Sequence, residues 1–285
     1  MRTCKDRNTL NMKAIILAAG YGTRLLRDLQ TTNYKEFQHL LDIPKPLLPI
    51  GHLPLISHWV AALEATADVT DIFVVTNDLY YAKFEEWAQK YKSVKIINDG
   101  TKSNEERLGA IACLQLVLDK FRIDDHIIII AGDTLFFEDF SLRDVIAKFE
   151  KLQHENDQAN LVLAYLCQDE ETKNYGILET DENLKVTALK EKPSSDETES
   201  RRACPCFYLL SKYTLPLIQV FLEGKKNAPI GEKDAPGHLI AWLVSRQPVF
   251  VHMISGRFDV GNLPMYISCN KYFLDKINHL TDYLH

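Results

Sequence analysis

Five short apolar runs, each without polar alternation, constrain the fold of this 285-residue chain more than any other feature. They lie at residues 14–19, 72–76, 94–97, 127–131 and 161–166. A run of this kind predicts a strand that is buried on both faces, and such a strand needs helices on both sides of a mainly parallel sheet. We therefore predict an α/β fold with three layers, in which one sheet lies between two layers of helices.

Amphipathic stretches separate these runs and predict helices at residues 54–65, 82–91, 105–121 and 142–154. After residue 166 the pattern changes to shorter elements. Strands are predicted at 176–179, 184–190, 206–210 and 249–254, and helices at 214–222, 238–246 and 265–280. No linker divides the chain, so we expect a loose extension at residues 1–12 and a single domain over 13–285.

Charge and cysteine content exclude several classes of protein. The 33 basic and 39 acidic residues give a net charge of −6, which disfavours nucleic acid or a membrane surface as a partner. The six cysteines are scattered, and the close pair Cys204 and Cys206 is interpreted as strand residues after a turn. This pattern favours reduced thiols and a cytoplasmic location. No run approaches the roughly 18 apolar residues that a membrane-spanning helix needs.

The first apolar run leads into Gly20-Tyr21-Gly22-Thr23-Arg24. Closely spaced glycines after a strand let backbone N–H groups approach an anion, and the Arg24 guanidinium can bind phosphate oxygens. An ordinary strand-to-helix turn with a solvated arginine is the alternative. Leu25 stands where a dinucleotide fingerprint has its third glycine, and no Gly-Lys-Ser/Thr follows, so neither common phosphate motif is present.

A second basic element is Pro44-Lys45-Pro46-Leu47-Leu48-Pro49-Ile50. The prolines on both sides of Lys45 restrict the backbone, and we expect the lysine to be held in a rigid extended segment. A flexible surface lysine is the alternative. A fixed cation after a glycine loop favours a second phosphate contact.

The glycine loop and the Pro-Lys-Pro segment together resemble the signature of sugar-1-phosphate nucleotidyltransferases, including the glucose-1-phosphate thymidylyltransferase and mannose-1-phosphate guanylyltransferase branches. The resemblance covers about residues 13–280. It implies a Rossmann-like three-layer α/β/α sandwich of the nucleotide-diphospho-sugar transferase type, with a mainly parallel, mixed sheet. It also implies that a nucleoside triphosphate and a sugar 1-phosphate condense to an NDP-sugar and pyrophosphate. The nucleotide-binding half would span about 13–166 and the sugar-phosphate-binding half about 167–285.

One departure from the family concerns the distance between its first two motifs. Arg24 and Lys45 are 21 positions apart, about twice the usual gap. The extra residues, within 26–42, are expected to lengthen the loop over the nucleotide phosphates.

A pair of aspartates provides the predicted metal site. Asp133 follows the run 127–131, at the edge where open α/β sheets bind ligands, although a turn-capping role is an alternative. The resemblance assigns Mg²⁺ to Asp133 and to Asp259 in Phe258-Asp259-Val260-Gly261. The family more often has Trp-x-Asp-x-Gly-Thr, and we interpret Phe258 and Asn262 as variants of it. Two carboxylates suffice for Mg²⁺, which fills its remaining positions with water and phosphate oxygens.

The resemblance also implies the roles of the other candidate residues. The catalytic residues would be Arg24, Lys45, Lys192 and Asp133. The nucleotide-binding residues would be Leu17, Ala18, Ala19, Gly20, Gly22, Thr23, Asn104 and Gly109. The sugar-phosphate-binding residues would be Tyr175, Gly176, Glu191 and Lys192. Asn104 stands where the family has a base-reading Gln, and a helix N-cap is its alternative role.

Three other functions remain open at this point. A protein of the same fold could activate a non-sugar phosphate such as phosphocholine or a phosphonate. A non-catalytic regulatory homologue could bind nucleotide sugars, and a dinucleotide-dependent oxidoreductase is disfavoured by Leu25.

The last predicted helix could pack internally or against a second subunit in a homo-oligomer. Only 24 residues follow Gly261, so no appended β-helix domain is expected.

Overall fold

A computed structural model of the chain describes residues 10–31, 35–137 and 139–282. The strands are β1 (Met12–Leu17), β2 (Pro49–Ile50), β3 (Leu53–Pro54), β4 (Val69–Thr76), β5 (Val94–Asn98), β6 (His126–Ala131), β7 (Thr134–Phe136), β8 (Asn160–Leu166), β9 (Gly176–Thr180), β10 (Val186–Glu191), β11 (Arg202–Ala203), β12 (Phe207–Leu210), β13 (Val249–Met253) and β14 (Arg257–Asp259). The helices are α1 (Thr23–Thr31), α2 (Leu55–Glu64), α3 (Tyr81–Ala88), α4 (Ala110–Phe121), α5 (Leu142–Glu155), α6 (Leu215–Gly224), α7 (Gly231–Asp234), α8 (Pro236–Leu243) and α9 (Leu263–Asp282).

Ten of these strands form one mixed sheet in the order β10-β9-β11-β8-β12-β6-β1-β4-β5, with β13 also paired to β8. The pairs β1–β4, β1–β6 and β4–β5 are parallel, whereas β12 is antiparallel to both of its neighbours. The predicted three-layer α/β sandwich with a mainly parallel, mixed sheet is therefore confirmed. All five apolar runs of the first half are strands of this sheet, as predicted.

Alternate residues of the central strands pack into separate cores on the two faces of the sheet. On β1, Ala14 and Ile16 join the core that includes Trp59 of α2, while Ile15 joins the core that includes Leu114 of α4. Helices α2, α3, α5 and α9 cover the first face, and α4, α6 and α8 cover the second. Burial on both faces explains why these strands show no polar alternation.

The N-terminal boundary differs from the prediction of a loose extension over residues 1–12. Residues 1–9 lie outside the described residues. Leu10 packs against the core, and β1 already begins at Met12, whose side chain is fully buried. The ordered domain therefore starts a few residues earlier than the first apolar run suggests.

The prediction of a long loop between the first two motifs is wrong for the described residues of this segment. Thr23–Thr31 forms α1, and residues 35–40 form a 3-10 helix, while residues 32–34 lie outside the described residues. Leu25 and Leu29, four positions apart, bury one face of α1 in the core, and Leu40 is buried as well. Much of the extra length is therefore helix that packs on the domain.

Helix α9 packs on its own chain through the β2–β3 hairpin. The Gly51 N–H donates to Asn270 Oδ1 at 2.8 Å, and the Tyr266 hydroxyl donates to the Pro49 carbonyl at 3.1 Å. At the start of α9, the Leu263 N–H donates to Asp28 of α1. Helix α9 therefore packs internally, which is one of the two alternatives given for the last predicted helix. No helix within the described ranges is long and apolar enough to span a membrane.

Candidate active site

The carboxyl ends of β1, β4 and β6 meet at one edge of the sheet, where they support the glycine loop. Leu17 pairs with Val75 and with Ala131 in register. The Ala18 N–H donates to the Val75 carbonyl at 2.8 Å, and the buried Asn77 donates its side-chain N–H to the Ala19 carbonyl at 2.9 Å. The loop backbone is thereby fixed at the edge where parallel sheets bind ligands.

The glycine loop passes directly into α1 and contacts the Pro-Lys-Pro segment. Gly22 has a φ of +63°, which favours glycine, and a Cβ added there would lie 3.4 Å from Lys45 Cγ. The Lys45 stem thus lies against the bare Gly22 backbone. The N-terminus of α1 begins at Thr23, and its N–H groups favour an anion beside this loop. The two motifs, separated in sequence, form one site.

Lys45 is not in the extended segment that the flanking prolines predict. Residues Lys45–Leu47 form one 3-10 turn, with Pro44 extended before it. A proline in the first turn of a helix is tolerated because that turn needs no N–H donor, and Pro46 occupies such a position. The Lys45 side chain is nevertheless held in place, as predicted, because it is only 12% exposed and its Nζ lies 3.7 Å from Asp133 Oδ2.

Asp133 and Asp259 become neighbours through a two-stranded pair that the sequence does not predict. β7 and β14 are antiparallel, and Asp259 stands opposite Thr134. The Val260 N–H also donates to the Asp133 carbonyl at 2.9 Å. Two carboxylates that are 126 positions apart in the chain therefore lie at one point beside Lys45.

The electrostatics of this pair suit a hard cation. Burial raises the pKa of Asp133 above its ordinary value, and the negative charge of Asp259 raises it further, while Lys45 and Arg257 oppose both effects. A cation bound by both carboxylates would offset the repulsion between them. Within the described ranges no group of three or more His, Cys, Asp or Glu could hold a metal ion. A metal here would take two carboxylates and complete its coordination with substrate and water oxygens, as Mg²⁺ does.

Arg24 is exposed and lies beside the Asp259 motif. A Cβ added at Gly261 would lie 3.5 Å from a terminal nitrogen of Arg24 and 3.3 Å from Asp259 Oδ1. The absence of a side chain at Gly261 leaves room for both groups. The structure thus brings three of the predicted catalytic residues, Arg24, Lys45 and Asp133, to the same edge of the sheet.

The predicted sugar-phosphate residues form a second cluster where β9 begins and β10 ends. Gly176 stands opposite Glu191 in the antiparallel pair, and the Lys192 N–H donates to the Tyr175 carbonyl at 3.0 Å. Lys192 has a φ of +53°, a left-handed conformation that is uncommon outside glycine and recurs at functional sites. Cβ atoms added at Gly176 or Gly237 would come within 3.1 Å of Glu191 Oε2. The Glu191 carboxylate therefore lies at the first turn of α8.

Arg257, which the sequence motifs did not indicate as a site residue, connects the two clusters. Its NH2 lies 3.2 Å from Asp259 Oδ2, its Nε donates to the Tyr165 hydroxyl at 3.3 Å, and its guanidinium lies 4.9 Å from the centre of the Tyr175 ring. The pattern Trp-x-Asp places Arg257, two residues before Asp259, at the tryptophan position. Assigning that position to Phe258 was wrong by one residue.

A cavity of about 220 Å³ lies between the glycine loop and the start of α4. Its lining includes Leu17, Ala19 and Gly20 from the loop and Gly109 from the other side. Cys206 also lines it, and burial raises the pKa of this thiol. Five of the cysteines, Cys113, Cys167, Cys204, Cys206 and Cys269, are free thiols.

Asn104 is neither the N-cap of α4 nor part of the described lining of this cavity. Helix α4 begins at Ala110. Asn104 begins a separate 3-10 turn, and the Asn104 carbonyl accepts a hydrogen bond from the Arg107 guanidinium. The N-cap alternative is therefore wrong. At the start of α4 the Asp234 carboxylate accepts a hydrogen bond from the Ala110 N–H at 3.2 Å. The same carboxylate forms an ion pair with Arg107 at 2.9 Å. No local signal in the sequence links Asp234 to a helix more than 100 residues earlier.

Known proteins resemble this chain along almost its whole length. The first relatives are archaeal, and one, the bifunctional protein GlmU of Methanocaldococcus jannaschii, is 25% identical over 94% of this chain and 55% of its own length. The chain thus spans about half the length of these relatives. UTP–glucose-1-phosphate uridylyltransferase of Mycoplasma pneumoniae is 24% identical over 94% of both chains.

Solved structures share the fold at lower identity. UDP-glucose pyrophosphorylase complexed with UDP-glucose superposes with a TM-score of 0.69 at 17% identity, over 94% of this chain and all of the other. This likeness shows the nucleotide-diphospho-sugar transferase fold. The family described as nucleotidyl transferase matches residues 13–276, which hold the glycine loop, the Pro-Lys-Pro turn and both aspartates. The chain is therefore a member of the nucleotidyl transferase family.

Proposed function

We propose that this protein is a sugar-1-phosphate nucleotidyltransferase, which condenses a nucleoside triphosphate with a sugar 1-phosphate to release pyrophosphate. The observation that carries the proposal is the meeting of Asp133, Asp259 and Lys45 at the carboxyl edge of the sheet, beside a glycine loop. A protein that only binds nucleotide sugars has no need of a paired-carboxylate metal site. The name of the related uridylyltransferase of Mycoplasma pneumoniae supports the same reaction class.

The proposed reaction needs no nucleophile from the protein. An oxygen of the sugar phosphate attacks the α-phosphorus in line, and the bond to pyrophosphate breaks. Catalysis then consists of positioning and of neutralising the charge on the phosphates. Lys45 would stabilise the charge that develops at the α-phosphate, Arg24 would bind the departing pyrophosphate, and Lys192 would bind the attacking phosphate.

The two halves of the chain would divide the substrates between them. The glycine loop residues, with Gly109 across the cavity, would bind the nucleotide in the half that spans about residues 13–166. Tyr175, Gly176 and Glu191 would bind the sugar in the half that spans about 167–285. Asp133 and Asp259 would hold Mg²⁺, which supplies charge neutralisation on the phosphate oxygens when bound. Free thiols favour a reducing, cytoplasmic setting.

The decisive experiment is a matrix of nucleoside triphosphates against sugar 1-phosphates, assayed by pyrophosphate release with Mg²⁺ present. We expect turnover with at least one sugar phosphate. Turnover confined to phosphocholine or a phosphonate would contradict the sugar assignment, and no release from any pair would favour a regulatory binding protein.

Replacing Asp133 tests the metal site within the same assay. Asp133→Asn is isosteric and removes one negative charge, so we expect turnover to fall by at least about 100-fold, or roughly 3 kcal/mol of transition-state stabilisation. Asp169→Asn is a matched control, since Asp169 forms an ion pair with Arg201 at the surface. Near-normal turnover in a folded Asp133→Asn variant would refute the metal assignment.

A further inference from the structure

Arg257 occupies a position that nothing in the proposed reaction requires. Its side chain is only 11% exposed, and it forms the ion pair with Asp259 across 3.2 Å. It also lies over the faces of Tyr165 and Tyr175, with its guanidinium carbon 5.7 Å and 4.9 Å from the two ring centres. A buried arginine that contacts a predicted metal ligand repels an approaching metal cation and so affects how the metal binds.

The surroundings of Arg257 keep its charge at this place. An arginine side chain stays protonated at any pH at which the protein is folded, and its planar group stacks on aromatic faces. The backbone is held as well, since Arg257 stands opposite Phe136 in the β7–β14 pair. The cation therefore cannot withdraw from Asp259 into solvent without leaving both tyrosine rings.

We propose that Arg257 is a positioning residue that holds Asp259 and lowers the affinity of the two aspartates for a free divalent cation, so that metal enters together with the nucleoside triphosphate. This inference rests on the proposed function, because it takes Asp133 and Asp259 as the metal-holding pair. It concerns the order in which metal and nucleotide bind.

The charge balance at the site supports this order of binding. Lys45 lies beside Asp133 and Arg257 beside Asp259, so each carboxylate has its own cation. A divalent cation that arrives alone meets both positive charges at short range, where electrostatic interactions are only partly screened. A triphosphate brings negative charge of its own, which compensates both cations while the metal binds.

Binding of Mn²⁺ to the full chain, followed by electron paramagnetic resonance without nucleotide, tests the inference independently of turnover. Arg257→Gln and Arg257→Met remove the charge, and we expect each to bind Mn²⁺ at least about tenfold more tightly than the wild type. Arg257→Lys keeps the charge and should stay within about threefold. With a non-hydrolysable triphosphate present, all four proteins should agree within about threefold.

A matched control and a metal-ligand variant separate the possible failures. Arg201→Met also breaks an arginine–aspartate ion pair, of 2.6 Å, at the surface, and should leave Mn²⁺ binding unchanged. Asp259→Asn should lose the Mn²⁺ site in every background. Unchanged or weaker Mn²⁺ binding in folded Arg257→Gln, with loss in Asp259→Asn, would overturn the role of Arg257 alone. Wild-type binding in Asp259→Asn would overturn the metal assignment of the proposed function as well.

Discussion

Gly132 is a position in the site where an added side chain would clash with the backbone. A Cβ added there would lie 2.8 Å from the Leu17 carbonyl oxygen and 3.1 Å from Pro46 Cγ. Contacts below 3.0 Å are essentially never seen for real Cβ atoms. The Leu17 oxygen is backbone, and it already accepts the Gly132 N–H at 2.9 Å, so it cannot rotate away. Gly132→Ala must therefore push the ends of β1 and β6 apart or displace the Pro-Lys-Pro turn.

The expected cost is that of overpacking a well-packed site, about 1–3 kcal/mol in the free energy of unfolding. For a chain of this size each kcal/mol lowers Tm by roughly 2–4 °C. Displacement of the turn would also move Lys45 from Asp133, so pyrophosphate release should fall by at least about tenfold. The assays are thermal and urea unfolding, together with pyrophosphate release.

Gly224→Ala is the matched control for this substitution. It adds the same methyl group near the end of α6, where no atom lies within 4 Å of the new Cβ. Its stability should stay within about 1 kcal/mol of the wild type, because glycine has no positive φ there and alanine favours helix. Equal stability and turnover in Gly132→Ala and the wild type would refute the steric reasoning.

Two further predictions concern the glycine loop and a surface ion-pair network. Gly20→Ala should change stability by less than about 1 kcal/mol, since its Cβ would have no atom within 4 Å, but should weaken triphosphate binding about tenfold in calorimetry. Hydrogen bonds from Lys13 and Lys95 lower the pKa of Asp71 to about 2. The stability that Asp71 contributes, about 1 kcal/mol after solvent screening, is present above pH 4 and lost between about pH 4 and 2. In urea unfolding, the difference between wild type and Asp71→Asn should disappear over that range, and a constant difference would contradict it.

The large elements of the fold could be predicted because their signals are long and local. The run that became β6 was predicted at 127–131 and is observed at His126–Ala131, since four consecutive isoleucines fit only a strand buried on both faces. β7 and β14 have three residues each, too few to show a period. Their pairing depends on contacts between distant segments. It is nevertheless the pairing that joins Asp133 to Asp259.

The site was predictable where a residue type is tied to its own local backbone. Gly22 and Lys45 carry their signal in the adjacent glycine and prolines, and the structure brings them into contact. Asp234 acts through partners that are far away in the sequence and has no local motif. For Arg257 a signal existed, because counting back two residues from Asp259 reaches it, but its meaning depends on Tyr165 of β8 and on Tyr175, the residue before β9.

The position of Arg257 also bears on how an acidic protein can bind several phosphates. The net charge of −6 describes the whole surface, whereas substrate phosphates would meet Arg24, Lys45 and Lys192 at the site, where Arg257 offsets the charge of Asp259. These four cations stand against three carboxylates, Asp133, Asp259 and Glu191, which leaves a local positive surplus. Charges on the remote surface are screened beyond about 8 Å at physiological salt, so this local surplus governs binding. Substrate affinity should then depend more strongly on substitutions at Arg24, Lys45 and Lys192 than on the overall charge of the chain.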